Sequence, residues 1–245
     1  MQIFFEIHQD LPREGPGNFE STKQAYSLLH PLPQIPLILD IGCGPGMQTM
    51  DLIKLTDGKI IAIDTHQPFI DVLNKKIIEA ELGSRIQARY GDMFALDFQH
   101  GAFDIIWSEG AIYIIGFEIG LQRWKPYLKK NGFMAVTEVT WLKSDLPDEL
   151  RVFWEQEYPA MKDLQENLEI IDRSGYRVLD HFILPQAAWW DGYYRPLQKR
   201  IDLLTKKYSR NEAAREVLQM HQQEIELYEK YADAYGYVFY VMQAI

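Results

Sequence analysis

Cysteine and long apolar runs are both scarce in this sequence. Cys43 is the only cysteine among 245 residues, so an internal disulfide is excluded. No apolar run approaches the roughly 20 residues that cross a bilayer. Residues 1–10 also lack the basic start and the small-residue cleavage site of a secretory signal. We therefore expect a cytoplasmic protein with no membrane partner.

Positive charge is in short supply. The 25 lysines and arginines are outnumbered by 35 aspartates and glutamates, which gives a formal net charge of −10. That balance repels a phosphate backbone. The short basic stretches at 125–130 and 199–207 lie in mixed-charge helical patterns, which are typical of solvated faces. The six histidines contain no pair at metal-ligand spacing. Neither nucleic acid nor a metal is therefore expected as a partner.

Short apolar runs alternate with helical patterns along the chain. The runs predict seven strands, at residues 37–41, 59–64, 85–90, 103–108, 133–141, 176–184 and 236–245. The intervening patterns predict helices at residues 21–29, 47–55, 68–82, 118–129, 164–174 and 209–235. Short buried strands separated by helices indicate a mostly parallel sheet covered on both faces.

The predicted fold is therefore α/β: a Rossmann-like, seven-stranded, mostly parallel sheet with a helical and aromatic cap inserted before the last strand. We divide the chain into a leader and helix that cover the cofactor site (1–36), a core (37–184), the inserted cap (185–235) and a final core strand (236–245). Ser21 with Gln24, and Ser209 with Glu212, have the spacing of a capping box and predict where two of the helices begin.

A glycine-rich turn follows the first predicted strand, in the segment LILDIGCGPGMQTM. In open α/β sheets this position binds ligands, and glycines let the backbone approach them closely. Dinucleotide enzymes need a third glycine where this chain has Met47. Asp40 would repel a pyrophosphate but attract an ammonium or a sulfonium. Asp64 ends the next strand, where a carboxylate can accept both hydrogen bonds of a ribose diol.

These motifs resemble those of class I S-adenosylmethionine-dependent methyltransferases, in the branch that acts on small molecules such as ubiquinone precursors and sterols. LDIGCGPG looks like their first motif, Asp64 like their ribose-binding acid, GDM at residues 91–93 like their adenine-binding segment, and FDIIWSEGAIYIIGFE like their fourth-strand motif. The agreement in order and spacing runs from about residue 35 to 140, and the wider chain resembles a group of bacterial and archaeal methyltransferases.

The resemblance implies a role for each matching residue. The cofactor-binding set comprises Gly17, Asp40, Gly42, Gly44, Gly46, Asp64, Gln67, Asp92, Met93, Ser108 and Glu109, with Gly15 as a further contact from the leader. Glu109 and Tyr113 are the candidate catalytic residues. Two roles are open for Glu109. Its carboxylate orients the substrate or accepts its proton, or else it accepts hydrogen bonds from loop amides.

The aromatic run around residue 190 is the candidate acceptor site. Trp189, Trp190, Tyr193 and Tyr194 do not follow a helical period, and Gly192 suggests a bend between them. An aromatic wall of this kind suits a cationic methyl donor or an amine acceptor. Packing within the core of the cap is the alternative reading.

The predicted function is transfer of a methyl group from S-adenosylmethionine to a small-molecule acceptor by in-line displacement, with S-adenosylhomocysteine as the product. Two alternatives stay open: a catalytically silent S-adenosylmethionine-binding protein, and an NAD-dependent oxidoreductase. The sequence leaves open whether the protein forms a homodimer.

Overall fold

The computed structural model describes residues 2–245, with side chains from residue 3 onward. Met1, the first residue of the predicted leader, lies outside the described residues. The centre of the fold is one mixed sheet. Its strands are β1 (Leu37–Ile41), β2 (Lys59–Asp64), β3 (Ile86–Tyr90), β4 (Phe103–Ser108), β5 (Leu128–Trp141), β6 (Lys162–Asp163), β7 (Tyr176–Ile183) and β8 (Tyr235–Ala244).

The strands are ordered β3-β2-β1-β4-β5-β8-β7, and β6 pairs with the end of β5. The first five strands are parallel to one another, and only β8 runs antiparallel, between β5 and β7. The predicted α/β class and its seven strands are confirmed, and the two-residue β6 is an addition. The chain reverses its winding direction between β1 and β4, which is where open α/β sheets bind ligands.

Helices cover both faces of this sheet. They are α1 (Gln2–His8), α2 (Phe19–Ser27), α3 (Met47–Leu52), α4 (Gln67–Glu79), α5 (Phe117–Trp124), α6 (Asp148–Glu157), α7 (Leu164–Arg173), α8 (Gln186–Trp189), α9 (Arg195–Lys207) and α10 (Glu212–Tyr231). The sheet separates two apolar cores because side chains alternate along each strand: Phe133 and Ala135 of β5 face one core, and Met134 and Val136 the other.

Two predicted helix starts are wrong. The N-cap of α2 is Asn18 rather than Ser21, because the Asn18 side chain accepts a hydrogen bond from the Ser21 backbone N–H at 2.8 Å. The N-cap of α10 is Asn211 rather than Ser209, and its side chain accepts from Ala214 N–H at 3.1 Å. Asparagine is as good an N-cap as serine.

Two predicted ends also need correction. The last helix was expected to reach residue 235, but it ends at Tyr231 because Tyr235 pairs with Trp141 in the sheet. The helix expected over 118–129 ends at Trp124, and β5 begins at Leu128, which pairs with Phe103. In each case a sheet pairing takes residues that the local pattern assigned to a helix.

The cap consists of α8, a π-helical turn (Trp190–Tyr194), α9 and α10, between β7 and β8. Leader helix α1 packs against α9 and α10, which closes the cap over the sheet. The predicted bend at Gly192 is wrong, because Gly192 lies within a continuous helical path. Its missing side chain instead leaves room for the backbone of Gly17, whose carbonyl oxygen would lie 3.3 Å from an added Cβ.

Within the described residues, no helix is both long enough and apolar enough to cross a membrane.

Candidate functional site

One large cavity lies at the carboxyl edge of the parallel strands and has a volume of about 410 Å³. The turns after β1, β2, β3 and β4 form one side of it. The leader, α6 and the cap form the other side. The predicted residues that line it are Gly15, Gly42, Gly44, Asp64, Asp92, Met93, Glu109, Tyr113, Trp189 and Tyr193. The fold therefore brings predicted cofactor and acceptor residues together in one space.

The glycine turn has the backbone conformation that its sequence predicts. Gly42, Gly44 and Gly46 have φ values of 73°, 51° and 85°, in the left-handed region that favours glycine. The N–H of Gly42 donates to the Ile63 carbonyl at 2.9 Å, which fixes the turn against β2. A Cβ at Gly42 would overlap the side chain of Ala111, in the loop that follows β4.

Asp64 lines the cavity and also holds the turn. Its Oδ2 accepts from Gly44 N–H at 3.0 Å, and its Oδ1 accepts from His66 N–H at 2.8 Å. A carboxylate has about four acceptor positions. Each carboxylate oxygen of Asp64 therefore retains one acceptor position for a ligand.

The segment after β3 forms the next part of the wall. Asp92 Oδ1 accepts from Phe94 N–H at 2.9 Å, and Asp92, Met93 and Phe94 all line the cavity. The Met93 carbonyl accepts from the Trp124 indole at 3.1 Å, which ties the segment to α5. Opposite the turns, Phe5 stacks on the ring of His66 with a centroid separation of 3.9 Å.

Glu109 is held by side chains rather than by loop amides. Its Oε2 forms a buried ion pair with the Arg13 guanidinium. Its Oε1 accepts from Thr22 Oγ1 at 2.8 Å and from Trp107 Nε1 at 2.9 Å. With three donors around it, this carboxylate is a structural anchor of the leader. Neither reading drawn from the sequence anticipated Arg13, which carries no local motif.

Several predicted cofactor residues lie outside the cavity wall. Ser108 Oγ donates to the Ile41 carbonyl at 2.9 Å, within the sheet. Gln67 donates to Asp71 at 2.7 Å on the exposed side of α4. Gly46 precedes α3, and a Cβ there would overlap Leu73.

Asp40 and Gly17 lie behind the wall. Asp40 is fully buried, and its Oδ2 accepts from Thr49 Oγ1 at 2.6 Å while Oδ1 has no partner among the described residues. Burial raises the pKa of Asp40 to about 7, and the Thr49 hydrogen bond opposes that rise. Gly17 donates its N–H to the Ala188 carbonyl at 3.0 Å, so it joins the leader to the cap.

The aromatic run of the cap divides between cavity and core. Trp189 and Tyr193 line the cavity. Trp190 is only partly buried, and the Tyr194 hydroxyl donates to Glu224 Oε1 at 2.8 Å. Three further aromatic residues complete this part of the wall; they are Trp154, Tyr158 and Tyr237.

A chain of hydrogen bonds runs along the leader side of the cavity. Glu14 Oε2 lies 2.8 Å from His8 Nδ1, and His8 Nε2 lies 3.2 Å from His221 Nε2. His221 Nδ1 lies 2.8 Å from the Val217 carbonyl. Burial lowers the pKa of each histidine to about 4. It raises the pKa of Glu14 to about 8, with a smaller contribution from Asp64. No sequence pattern indicated this series of hydrogen bonds.

Residues 38–132 match the family model for a methyltransferase domain. The turn after β1 and the acids after β2 and β3 all fall inside that range. This chain carries a methyltransferase domain. The resemblance seen in the motifs is therefore confirmed.

Two curated relatives of this methyltransferase domain have names that refer to different kinds of substrate. The chain is 30% identical over 144 residues to human EEF1A lysine methyltransferase 2, covering 54% of this chain and 61% of that protein. It is 25% identical over 171 residues to sterol 24-C-methyltransferase of Kluyveromyces lactis, covering 66% of this chain and 46% of that protein. The chain thus spans about half to three fifths of the length of these relatives.

A solved structure matches the whole fold. It is a SAM-dependent methyltransferase from Geobacter sulfurreducens in complex with S-adenosyl-L-homocysteine, with a TM-score of 0.82 and 19% sequence identity. The alignment covers 100% of this chain and 98% of that one. The leader and the cap that surround the methyltransferase domain are therefore part of a shared fold.

Proposed function

We propose that this protein transfers a methyl group from S-adenosylmethionine to a small-molecule acceptor. The observation that carries the proposal is the meeting of the glycine turn, Asp64 and Asp92 in one cavity of a methyltransferase domain. The complex of the Geobacter relative with S-adenosylhomocysteine supports the choice of cofactor.

The residues present fit that cofactor. Gly42 and Gly44 give backbone clearance, Asp64 has acceptor positions for ribose hydroxyls, and Asp92 has one for an adenine amine. Glu14 Oε1 is buried without a partner among the described residues, beside the turn, so it suits a donor group of the ligand. When bound, the cofactor supplies an electrophilic methyl group on a sulfonium.

The protein's own part in the reaction is positioning. In-line displacement needs the nucleophile held at near-attack distance and water excluded. In our proposal Tyr113, Trp189 and Tyr193 hold the acceptor, and the leader and cap keep water out. Glu109 anchors Arg13 and so fixes the leader over the cavity. A volume of about 410 Å³ shared by both ligands supports a small acceptor.

The charge of the residues that line the cavity disfavours NAD as the cofactor. Among the described residues that line the cavity, six are aspartates or glutamates, while Arg13 is the only arginine and is paired with Glu109. Even with Glu14 neutral and Glu109 paired, a pyrophosphate would face the other carboxylates without a free lysine or arginine among the described lining residues. Met47 also replaces the third glycine of the dinucleotide motif.

Calorimetry with S-adenosylhomocysteine and with NAD tests the cofactor assignment. We expect only the former to bind, and Asp64→Asn to weaken binding by roughly 10–100-fold, since a lost charge-assisted hydrogen bond is worth about 1–3 kcal/mol. Asp71→Asn, on the exposed side of α4, is the matched control and should leave affinity unchanged. Tight NAD binding, or equal affinity in both variants, contradicts the assignment.

A turnover assay distinguishes a methyltransferase from a protein that binds S-adenosylmethionine without catalysis. S-adenosylhomocysteine should form from S-adenosylmethionine when a panel of small-molecule acceptors is supplied. Binding without turnover across the panel would favour the silent binder. Light scattering of the purified protein measures whether it forms a homodimer.

A further inference from the structure

We propose that the methyl acceptor is a small amine that enters the cavity as an ammonium cation. The proposal rests on the proposed function and adds the chemical class of the substrate. It comes from the composition of the cap side of the cavity, where aromatic rings and carboxylates meet without a free basic side chain.

Aromatic rings are abundant on that side. Trp154, Tyr158, Trp189 and Tyr193 line it, and Tyr113 and Tyr237, which pack against Tyr158 and Trp189, line the adjoining wall. Trp189 is the centre of the group: its ring stacks on Tyr228 at a centroid separation of 4.1 Å and on Tyr237 at 5.2 Å. Rings fixed by stacking offer a rigid, electron-rich surface, which attracts ammonium groups.

Carboxylates complete the same side. Glu224 of α10 and Glu157 of α6 both line the cavity. Glu224 Oε1 accepts from the Tyr194 hydroxyl, and no described residue donates to Oε2. Glu157 is exposed and close enough to Glu224 to raise its pKa, although burial of Glu224 is the larger cause. Glu157 therefore lies at the exposed edge of the cavity, and Glu224 lies inside it.

The basic groups on the leader and cap side of the cavity are each neutral or engaged. Arg13 is paired with Glu109, and no lysine lines the cavity within the described residues. His8 and His221 stay uncharged because burial lowers the pKa of each to about 4. An acceptor carboxylate or phosphate would thus be desolvated against negative charge, which is costly. A purely apolar acceptor would leave Glu224 Oε2 without a partner.

The chemistry is consistent with this acceptor. The ammonium loses one proton to the Glu224 carboxylate, and the freed nitrogen lone pair forms the new N–C bond. The C–S bond breaks as its electron pair goes to sulfur, which leaves S-adenosylhomocysteine and a methylated ammonium. Glu224 then returns the proton to solvent. Burial raises the pKa of Glu224 to about 7, which suits a group that takes up and releases a proton near neutral pH.

Matched probes of different charge test the proposal by binding. Two series are titrated into the full chain saturated with S-adenosylhomocysteine: phenethylamine, phenethyl alcohol and hydrocinnamate, and butylamine, butanol and valerate. We expect the amine to bind roughly tenfold tighter than both other members of at least one series, since only the cation gains from rings and carboxylates together.

Substitutions of single glutamates test which carboxylate causes the preference for the amine. Glu224→Gln keeps an oxygen for the Tyr194 hydroxyl and should reduce the preference for the amine about tenfold. Glu157→Gln, at the exposed mouth, should reduce it by a smaller factor, about threefold. Glu229→Gln, exposed on the same helix, is the control and should leave it unchanged.

Each other outcome overturns the proposal. If in both series the alcohol or the carboxylate binds as tightly as the amine, or if no amine binds, the acceptor is not an amine. If the preference survives in Glu224→Gln, the carboxylate does not recognise it. Failure of S-adenosylhomocysteine itself to bind would instead refute the proposed function, so the two failures are distinguishable.

Discussion

The Nε2 atoms of His8 and His221 lie 3.2 Å apart, although 213 residues separate them in the sequence. One lies at the end of leader helix α1 and the other on cap helix α10. The pair therefore joins the two parts of the chain that close the cavity. The 3.2 Å separation is that of a hydrogen bond.

The direction of this hydrogen-bond chain follows from its fixed end. A carbonyl only accepts, so His221 Nδ1 carries the proton that it donates to Val217. In a neutral ring its Nε2 is then an acceptor, and His8 Nε2 must donate to it. His8 Nδ1 is left as an acceptor, so Glu14 must be protonated to donate to it. That agrees with the raised pKa of Glu14, about 8.

Glu14→Gln should make the stability of the protein less sensitive to a rise in pH from about 4.5 to 8. The folded pKa of Glu14 is about 8 and its ordinary value is 4.5, so between these values the folded state binds more protons than the unfolded state. Stability from this group is therefore lost as pH rises through that window. Glutamine keeps a neutral donor to His8 and does not titrate.

Urea unfolding of the ligand-free protein at pH 5.5 and 7.5 measures the effect. Between these pH values the free energy of unfolding of the wild type should fall by roughly 1–3 kcal/mol more than that of the variant, since each unit of pKa difference is worth about 1.4 kcal/mol. The exposed Glu229→Gln is the control and should follow the wild type. Parallel curves for Glu14→Gln and wild type would show that Glu14 is ionised in the folded protein.

His221→Gln should reduce the loss of stability in mild acid. The folded pKa of His221, about 4, lies below its ordinary value of 6.5, so in this window the unfolded state binds the proton first. Stability from the neutral ring is present above pH 6.5 and is lost as pH falls towards 4. The slope of unfolding free energy against pH should fall by about 1 kcal/mol per pH unit in the variant.

Denaturant unfolding at several pH values from 4.5 to 7 checks this. His100→Gln, at an exposed position, serves as the control and should keep the wild-type slope. A variant slope equal to that of the wild type would mean that His221 takes up its proton in the folded state.

Arg13→Met should destabilise the fold by roughly 3–5 kcal/mol, because it leaves the buried Glu109 carboxylate without its cation. The side chains of this pair are only 4% and 1% exposed. Adding Glu109→Gln to Arg13→Met should recover part of the loss, since the uncompensated charge is removed. Equilibrium unfolding of the single and double variants gives the coupling energy.

Lys23→Met provides the comparison for this pair. Lys23 lies 3.9 Å from Glu20 in an exposed ion pair, which contributes little. If Arg13→Met costs no more than Lys23→Met, the Arg13–Glu109 pair does not anchor the leader.

Gly46→Ala should destabilise the domain by roughly 1–3 kcal/mol. Its φ of 85° is strained for any L side chain, and the new Cβ would overlap Leu73 of α4. Gly83→Ala is a matched control, because nothing lies within 4 Å of its Cβ position and its φ is not in the left-handed region. Thermal unfolding should show a lower midpoint for Gly46→Ala and little change for Gly83→Ala; equal midpoints would contradict the packing argument.

The sequence by itself determined the sheet and the turn. The central parallel strands β1 and β4 are buried on both faces, so they appear as continuous apolar runs that local reading finds, LILDI and FDIIWS. The glycine turn was also predictable, because left-handed backbone favours glycine and the acid at Asp64 directly follows strand residues. The family resemblance rests on these local features.

Only the tertiary structure decided how the cavity is closed and charged. Arg13 meets Glu109 across 96 residues, and His8 meets His221 across 213, and no periodicity in the sequence couples positions so far apart. Glu14 looks like an ordinary loop acid, and it is protonated only because packing removes it from water. Local sequence fixes backbone conformation and apolar faces, whereas ionisation and long-range pairing depend on which groups the whole fold buries together.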